Sequence, residues 1–213
     1  MSHSHIVKTL SHPRMVTYIK EMGSIDKALE LYLWNSKVSG ALITPMHICE
    51  VIIRNVVADT FETEFGEHWP WQRRLELTLN KHYRNELTSA REKQSIRHRT
   101  SKVIPELNFN FWQQMFVSKY DQQFWNQHLY SQFPNLPANQ TISTMRESIF
   151  NDLEKIRKLR NRIAHHEPIF KKDILDVINR ITKLTNYRCQ ITSEWISPHY
   201  LIEEILAQRP LSK

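Results

Sequence analysis

Glycine is scarce in this chain: three residues in 213. So few leave little room for the positive-φ turns that β-rich folds need. They also exclude a glycine-rich phosphate loop, and with it nucleotide hydrolysis of the Walker type. Cysteine is equally sparse. Cys49 and Cys189 have no CxxC spacing and sit in apolar helical surroundings, which fits reduced core residues of a cytosolic protein. No apolar run is long enough for a bilayer, because the longest, Ile48 to Ala58, is interrupted by Glu50 and Arg54. The N-terminus lacks a basic region followed by an apolar core, so no signal peptide and no membrane partner are expected. No GxSxG nucleophile setting occurs. A zinc site is also disfavoured, since His165 and His166 are adjacent and neither has a ligand one helical turn away. No metal and no cofactor are therefore expected.

Acidic residues are outnumbered, 22 against 29 basic ones, for a formal charge of +7 and a pI of about 9.4. That balance suits a polyanionic partner, nucleic acid or an anionic membrane surface, although a merely basic soluble protein has the same signature. Helix formers dominate what is present, and 3.6-residue apolar periodicity recurs along the chain. The fold class expected is all-α, a bundle of six to eight helices. Residues 1–14 read as a flexible segment whose His3, His5 and His12 belong to a frayed end. Residues 15–213 read as a single helical domain.

In chain order, helices are expected over Ile25 to Gly40 and, restarted by Pro45, over Pro45 to Phe65. The second carries Glu50, Arg54 and Asn55, with Glu50 and Arg54 spaced for an ion pair. Arg73 to Glu92 reads as one charged helix. Lys93 to Lys102 is the most basic stretch, and Arg97, Arg99 and Lys102 suit contacts to phosphates, with a solvated linker as the alternative. The aromatics from Phe109 to Tyr130 have helical spacing and are core residues before they are a stacking platform. A helix is expected from Ser143 to His166, capped by Ser143 or Thr144. One more runs from Asp173 to Thr185 and a last from Ser193 to Leu206.

The densest chemistry lies at Leu159 to Pro168. Ile156, Leu159 and Ile163 form a core stripe. Asn161 and His165, four apart, point away from it, and Arg160 flanks it. A core does not need an outward Arg–Asn–His cluster; a phosphate site or a subunit interface does. Histidine can accept or donate a proton near neutral pH, and arginine stays charged and grips phosphate oxygens in pairs.

Arg160-Asn161 followed by His165 resembles the R-N-x-x-x-H form of the Arg-x4-6-His signature of HEPN domains. RNRIAHHEPIF is similar to the abortive-infection (Abi) branch of AbiD/AbiF type. So are LYLWNSKVSGAL with EVIIRNVVADTF, then IPELNFNFWQQMF, then FWNQHLYSQFP. The blocks run in order from about Leu29 to Phe170. The resemblance implies a HEPN-like helical bundle with additional helices, in a cytoplasmic, metal-independent endoribonuclease acting as a toxin in phage defence. It implies His165 for proton transfer, Arg160 on the phosphate and Asn161 for orientation, with His166 as the fallback histidine. Glu50, Arg54 and Asn55 become supporting residues, and the partners implied are an RNA substrate, a second copy in a homodimer and an RNA or protein antitoxin. The alternative is a catalytically inactive helical protein that binds RNA or an antitoxin.

Overall fold

Helices organise around one another wherever apolar stripes recur at three- and four-residue steps, and here they do so along the whole chain. The computed structural model describes residues 3–93 and 98–211. Among these the chain is helical, with no strand. The α-helices are α1 (His3–Leu10), α2 (His12–Met22), α3 (Ile25–Phe65), α4 (Arg73–Thr78), α5 (Lys81–Arg91) and α6 (Thr100–Val103). They continue with α7 (Phe109–Gln114), α8 (Asn126–Gln132), α9 (Ile142–Ala164), α10 (Ile174–Arg188), α11 (Gln190–Ile196) and α12 (Ile202–Ala207). Side chains from Val7 in α1 to Ile202 in α12 join one apolar core.

The central element is α3. Its 41 residues span about 60 Å at the α-helical rise. The sequence reading broke it at Pro45, and the structure does not. Val38, Leu42, Pro45, Met46, Cys49 and Ile53 are all buried, and their steps of three and four carry one stripe straight through the proline. The ring fits the core, so burial on both sides outweighs the hydrogen bond that the missing N–H forfeits. By length and composition this helix could cross a membrane. It is instead packed by α2, α7, α8, α9, α10 and α12. Cys49 is buried in it, and burial pushes its thiol up to about 12, which leaves it unreactive. Cys189 is not a core residue as expected; it is half-buried at the junction of α10 and α11.

Other boundaries shift for local reasons. The N-terminal segment is helical from His3, with Val7 buried. Arg73 to Glu92 divides because Asn80 leaves helical geometry and its side chain accepts from the Tyr83 N–H at 3.0 Å, a capping role. The last expected helix divides into α11 and α12 around Pro198, where a single 3₁₀ turn intervenes. The aromatic stretch is core, as its spacing implied: Phe109, Phe111, Trp112, Phe116, Tyr120, Phe124 and Trp125 are buried. It is not one helix but α7, a 3₁₀ turn, a π turn at Asp121–Trp125 and α8. Phe116 stacks on Trp125 with centroids 4.3 Å apart.

Two buried charges fix α9 in this frame. Arg146 clasps Asp121 with both arms, at 2.8 and 3.2 Å. Asp152 meets Arg180 and Lys183, both on α10. These pairs set the angle at which α9 crosses the core, and so the direction in which its C-terminal end emerges.

Candidate functional site

α9 starts where the Thr141 hydroxyl, not Ser143 or Thr144, accepts from the Thr144 N–H at 3.2 Å. Met145, Ile149, Leu153, Ile156 and Leu159 then bury one face. The helix stops at Ala164 with a Schellman arrangement. The Glu167 N–H donates to the Arg162 carbonyl at 2.8 Å and the His166 N–H to the Ile163 carbonyl at 2.9 Å. His165 is the cap, and His166 takes the left-handed position that glycine normally fills, with φ 54°. Left-handed backbone costs a side-chain-bearing residue about 1 kcal/mol or more. His166→Gly is therefore expected to raise unfolding stability by about 1 kcal/mol. A higher urea midpoint at unchanged slope would register it, and an unchanged or lower midpoint would contradict it.

The turn is held from three sides. Arg162 donates to the Pro168 carbonyl at 2.9 Å and pairs with Glu167 at 3.0 Å. Arg14, on α2, donates to the His166 carbonyl at 2.6 Å. The buried Asn35 side chain accepts from the Ile169 N–H at 2.8 Å, which ties the outgoing chain to α3. The backbone is thus locked while both imidazoles stay exposed. That is the arrangement a proton-transferring group needs: a fixed origin and open access.

The structure distributes the motif around the helix end instead of gathering it in one cleft. His165 and Asn161 line a cleft of about 490 Å³ between α9 and α10, with Lys155 and Lys158 on one wall and Asp173 and Asp176 on the other. Arg180 hydrogen-bonds Asp176 and holds its carboxyl below the usual range. His166 and Arg160 share a different hollow, of about 330 Å³, with His47 and Glu50 of α3. His166 also lines an adjoining groove with Arg14, Tyr18 and Tyr32. Arg160 and Asn161 come together in a third hollow, of about 320 Å³, against Asn108 and Asn110 at the start of α7. Arg160 and Asn161 thus stand at the crossing of three hollows.

Arg160 is 45 % exposed, and its Nε lies 3.8 Å from Glu50, too far for a hydrogen bond. Its guanidinium is therefore close to a carboxylate but not neutralised by a tight pair. Glu50 thus stands beside Arg160 and not beside Arg54. Among the described residues no Glu50–Arg54 ion pair forms, and the buried Arg54 Nε has no hydrogen-bond partner. Asn55 is exposed on α3 and lines none of these hollows. Of the basic stretch, Arg97 lies outside the described residues. Arg99, the N-cap of α6, and Lys102, within it, are exposed and line none of the hollows around the motif.

Four contributors escaped the sequence reading. His47 falls one turn before Glu50 on the same face, but nothing within its own helix showed that this face meets Arg160. Asn108 and Asn110 come from a segment whose aromatics drew attention to its core role. Arg157, one turn before Arg160, carries no signal in the sequence beyond its spacing from Glu154. The structure places it against Glu154 and the buried Gln113. Burial pushes the Glu154 carboxyl up, but hydrogen bonds from Gln113, Arg157 and Lys158 outweigh it and hold it down at about 2.

Among the described residues no group of three or more metal-ligating side chains gathers at one point. A family model described as Abi-like protein matches residues 5–171, from α1 through the turn that follows α9. No curated protein and no solved structure matches the chain.

Proposed function

The chain belongs to the Abi-like protein family, and from that premise we propose that it is a HEPN-type, metal-independent endoribonuclease. The family places it, coarsely, in abortive infection, the arrest of growth that limits phage spread. The observation that carries the finer reading is the exposed His165-His166 pair on a locked turn, beside a half-exposed arginine without a tight partner.

RNA carries its own nucleophile. A base removes the 2′-OH proton, the 2′ oxygen attacks the adjacent phosphorus, and the bond to the 5′ oxygen breaks. An acid protonates that leaving oxygen, and a 2′,3′-cyclic phosphate remains. An imidazole can serve in either proton step. Arg160 offers paired N–H donors to the non-bridging oxygens as negative charge builds on them. Asn161, between Arg160 and His165 on the helix surface, can hold the phosphate or the imidazole tautomer. Glu50 and His47 flank Arg160 from α3 and orient it. Arg54 and Asn55 have no evident part in this.

The partners proposed are an RNA substrate, a second copy of the chain meeting it at α9, and an RNA or protein antitoxin. Arg99 and Lys102 add a phosphate-binding surface outside the site.

Incubating the purified protein with RNA in excess EDTA tests the reading. Fragments ending in 2′,3′-cyclic phosphate are expected. Intact RNA, or cleavage that EDTA abolishes, would sink it, and RNA binding without cleavage would leave the inactive binding protein as the better account.

A further inference from the structure

The three hollows around Arg160 and Asn161 differ in charge. The α9–α10 cleft contains Asp173, Asp176 and Glu167. The hollow shared with α3 contains Glu50. The hollow against α7 is lined by two arginines, Arg157 and Arg160, three asparagines, Asn108, Asn110 and Asn161, and Phe109. No carboxylate lines it. A concave site with two arginines and no lining carboxylate favours an anion, and the asparagines add donors that do not need a counter-charge.

Arg157 is the part built in advance. Its Nε donates to the Gln113 side chain at 2.6 Å, and its Nη2 donates to Glu154 at 2.8 Å. Gln113 is fully buried, and its amide in turn donates to Glu154 at 2.7 Å. The guanidinium is thereby pinned along one edge, and among the described residues Nη1 has no hydrogen bond. Glu154 serves two cations, Arg157 and Lys158, so the cluster stays net positive. On the opposite wall, the buried side chains of Phe109, Phe111 and Trp112 anchor α7. Asn108 accepts from the Phe111 N–H at 2.9 Å, which leaves its amide nitrogen as a donor, and Asn110 donates to the Tyr83 hydroxyl at 3.0 Å. Both walls are fixed before any ligand arrives, so little ordering cost falls on binding.

We propose that this hollow is a phosphate subsite for single-stranded RNA, in which Arg157 binds the phosphodiester next to the scissile one. Arg160 is the shared wall. It reaches the scissile phosphate from one side and closes the subsite from the other. Arg157 is a binding residue here, and the inference rests on the ribonuclease reading above.

The test uses the full chain and a short RNA with a 2′-deoxy sugar at the cleavage position, so that binding is read without turnover. Replacing the single phosphate next to the scissile linkage by a neutral methylphosphonate is expected to weaken wild-type binding roughly tenfold, as loss of one charge-assisted hydrogen-bonding pair should. Arg157→Gln should weaken binding of the unmodified RNA by a similar factor and lower the slope of log affinity against log salt by about 0.7. In that variant the methylphosphonate should make no further difference, whereas Arg157→Lys should keep the salt slope. A merely structural role would weaken binding without changing the slope or the response to the methylphosphonate, and that result overturns the proposal. If Arg157→Gln does not fold, the wild-type methylphosphonate scan decides: equal effects at all flanking phosphates overturn the subsite. Wild-type protein that cleaves RNA while failing these tests loses only the subsite. Wild-type protein that neither binds nor cleaves RNA loses the ribonuclease reading and the subsite with it.

Discussion

His165→Ala is expected to lower RNA cleavage by about 10²–10⁴-fold, the usual cost of removing a proton-transferring group. The same change should leave thermal unfolding nearly untouched. His165 is exposed at the helix cap, and its structural contribution is through its backbone N–H, which alanine retains. A surface change of this sort usually moves stability by no more than ~0.5 kcal/mol. Arg160→Ala should match it in activity at little cost to folding, because its ion contact with Glu50 is long and half-exposed. Rates of fragment production and melting curves, measured on the same preparations, check both halves. Full activity in His165→Ala with loss in His166→Ala would transfer the proton role to the neighbour that shares a hollow with Arg160. Activity in all three variants would remove this helix end from the chemistry. If two copies share a site, an Arg160→Ala protomer mixed with a His165→Ala protomer should recover some cleavage.

Asp152→Ala is expected to act in the opposite sense, through folding and not chemistry. Asp152 is 2 % exposed on α9 and takes a hydrogen bond from Arg180, while the Lys183 ammonium lies 2.5 Å from its other oxygen. Removing it leaves Lys183 without its carboxylate and Arg180 with Asp176 alone at the α9–α10 interface. Breaking a buried pair from one side costs 3–5 kcal/mol in general. The lower end, about 3 kcal/mol, applies because Arg180 keeps its pairing with Asp176 and Lys183 is partly exposed. For a chain of this size that is a fall in Tm of about 6–12 °C. An unchanged Tm would mean that the interface tolerates the unpaired lysine. The consequence for function follows from position, since Lys155, Lys158 and Asp176 line the cleft beside His165 and lie on the same two helices.

The two changes sort what could be read in advance from what could not. The all-α class followed from scarce glycine and repeated helical spacing, because those properties are local: each residue's preference and each apolar step act within a turn or two of chain. The outward face of the motif was legible for the same reason. Four residues of separation put Asn161 and His165 on one side of any helix, and Pro168 had to end it. The approach of Glu50 to Arg160 was not legible in the spacing of Glu50 from Arg54, because Glu50 and Arg160 lie on different helices. The continuity of α3 was not legible, because proline's local preference points to a break, and only the burial of Pro45 among α3's packing partners reverses it. His47, Asn108 and Asn110 were hidden because each reaches the site from another helix, and nothing local records which helix ends meet. Arg157 shows the limit most plainly. On its own helix it is an arginine three residues from an acid, an ordinary surface pair. Gln113, 44 residues earlier, makes it a fixed donor at the edge of a hollow. The sequence by itself determined that helices form and which faces of them are polar. The tertiary structure decided which polar faces confront one another, because that depends on packing an entire core, a sum over contacts far apart in the chain.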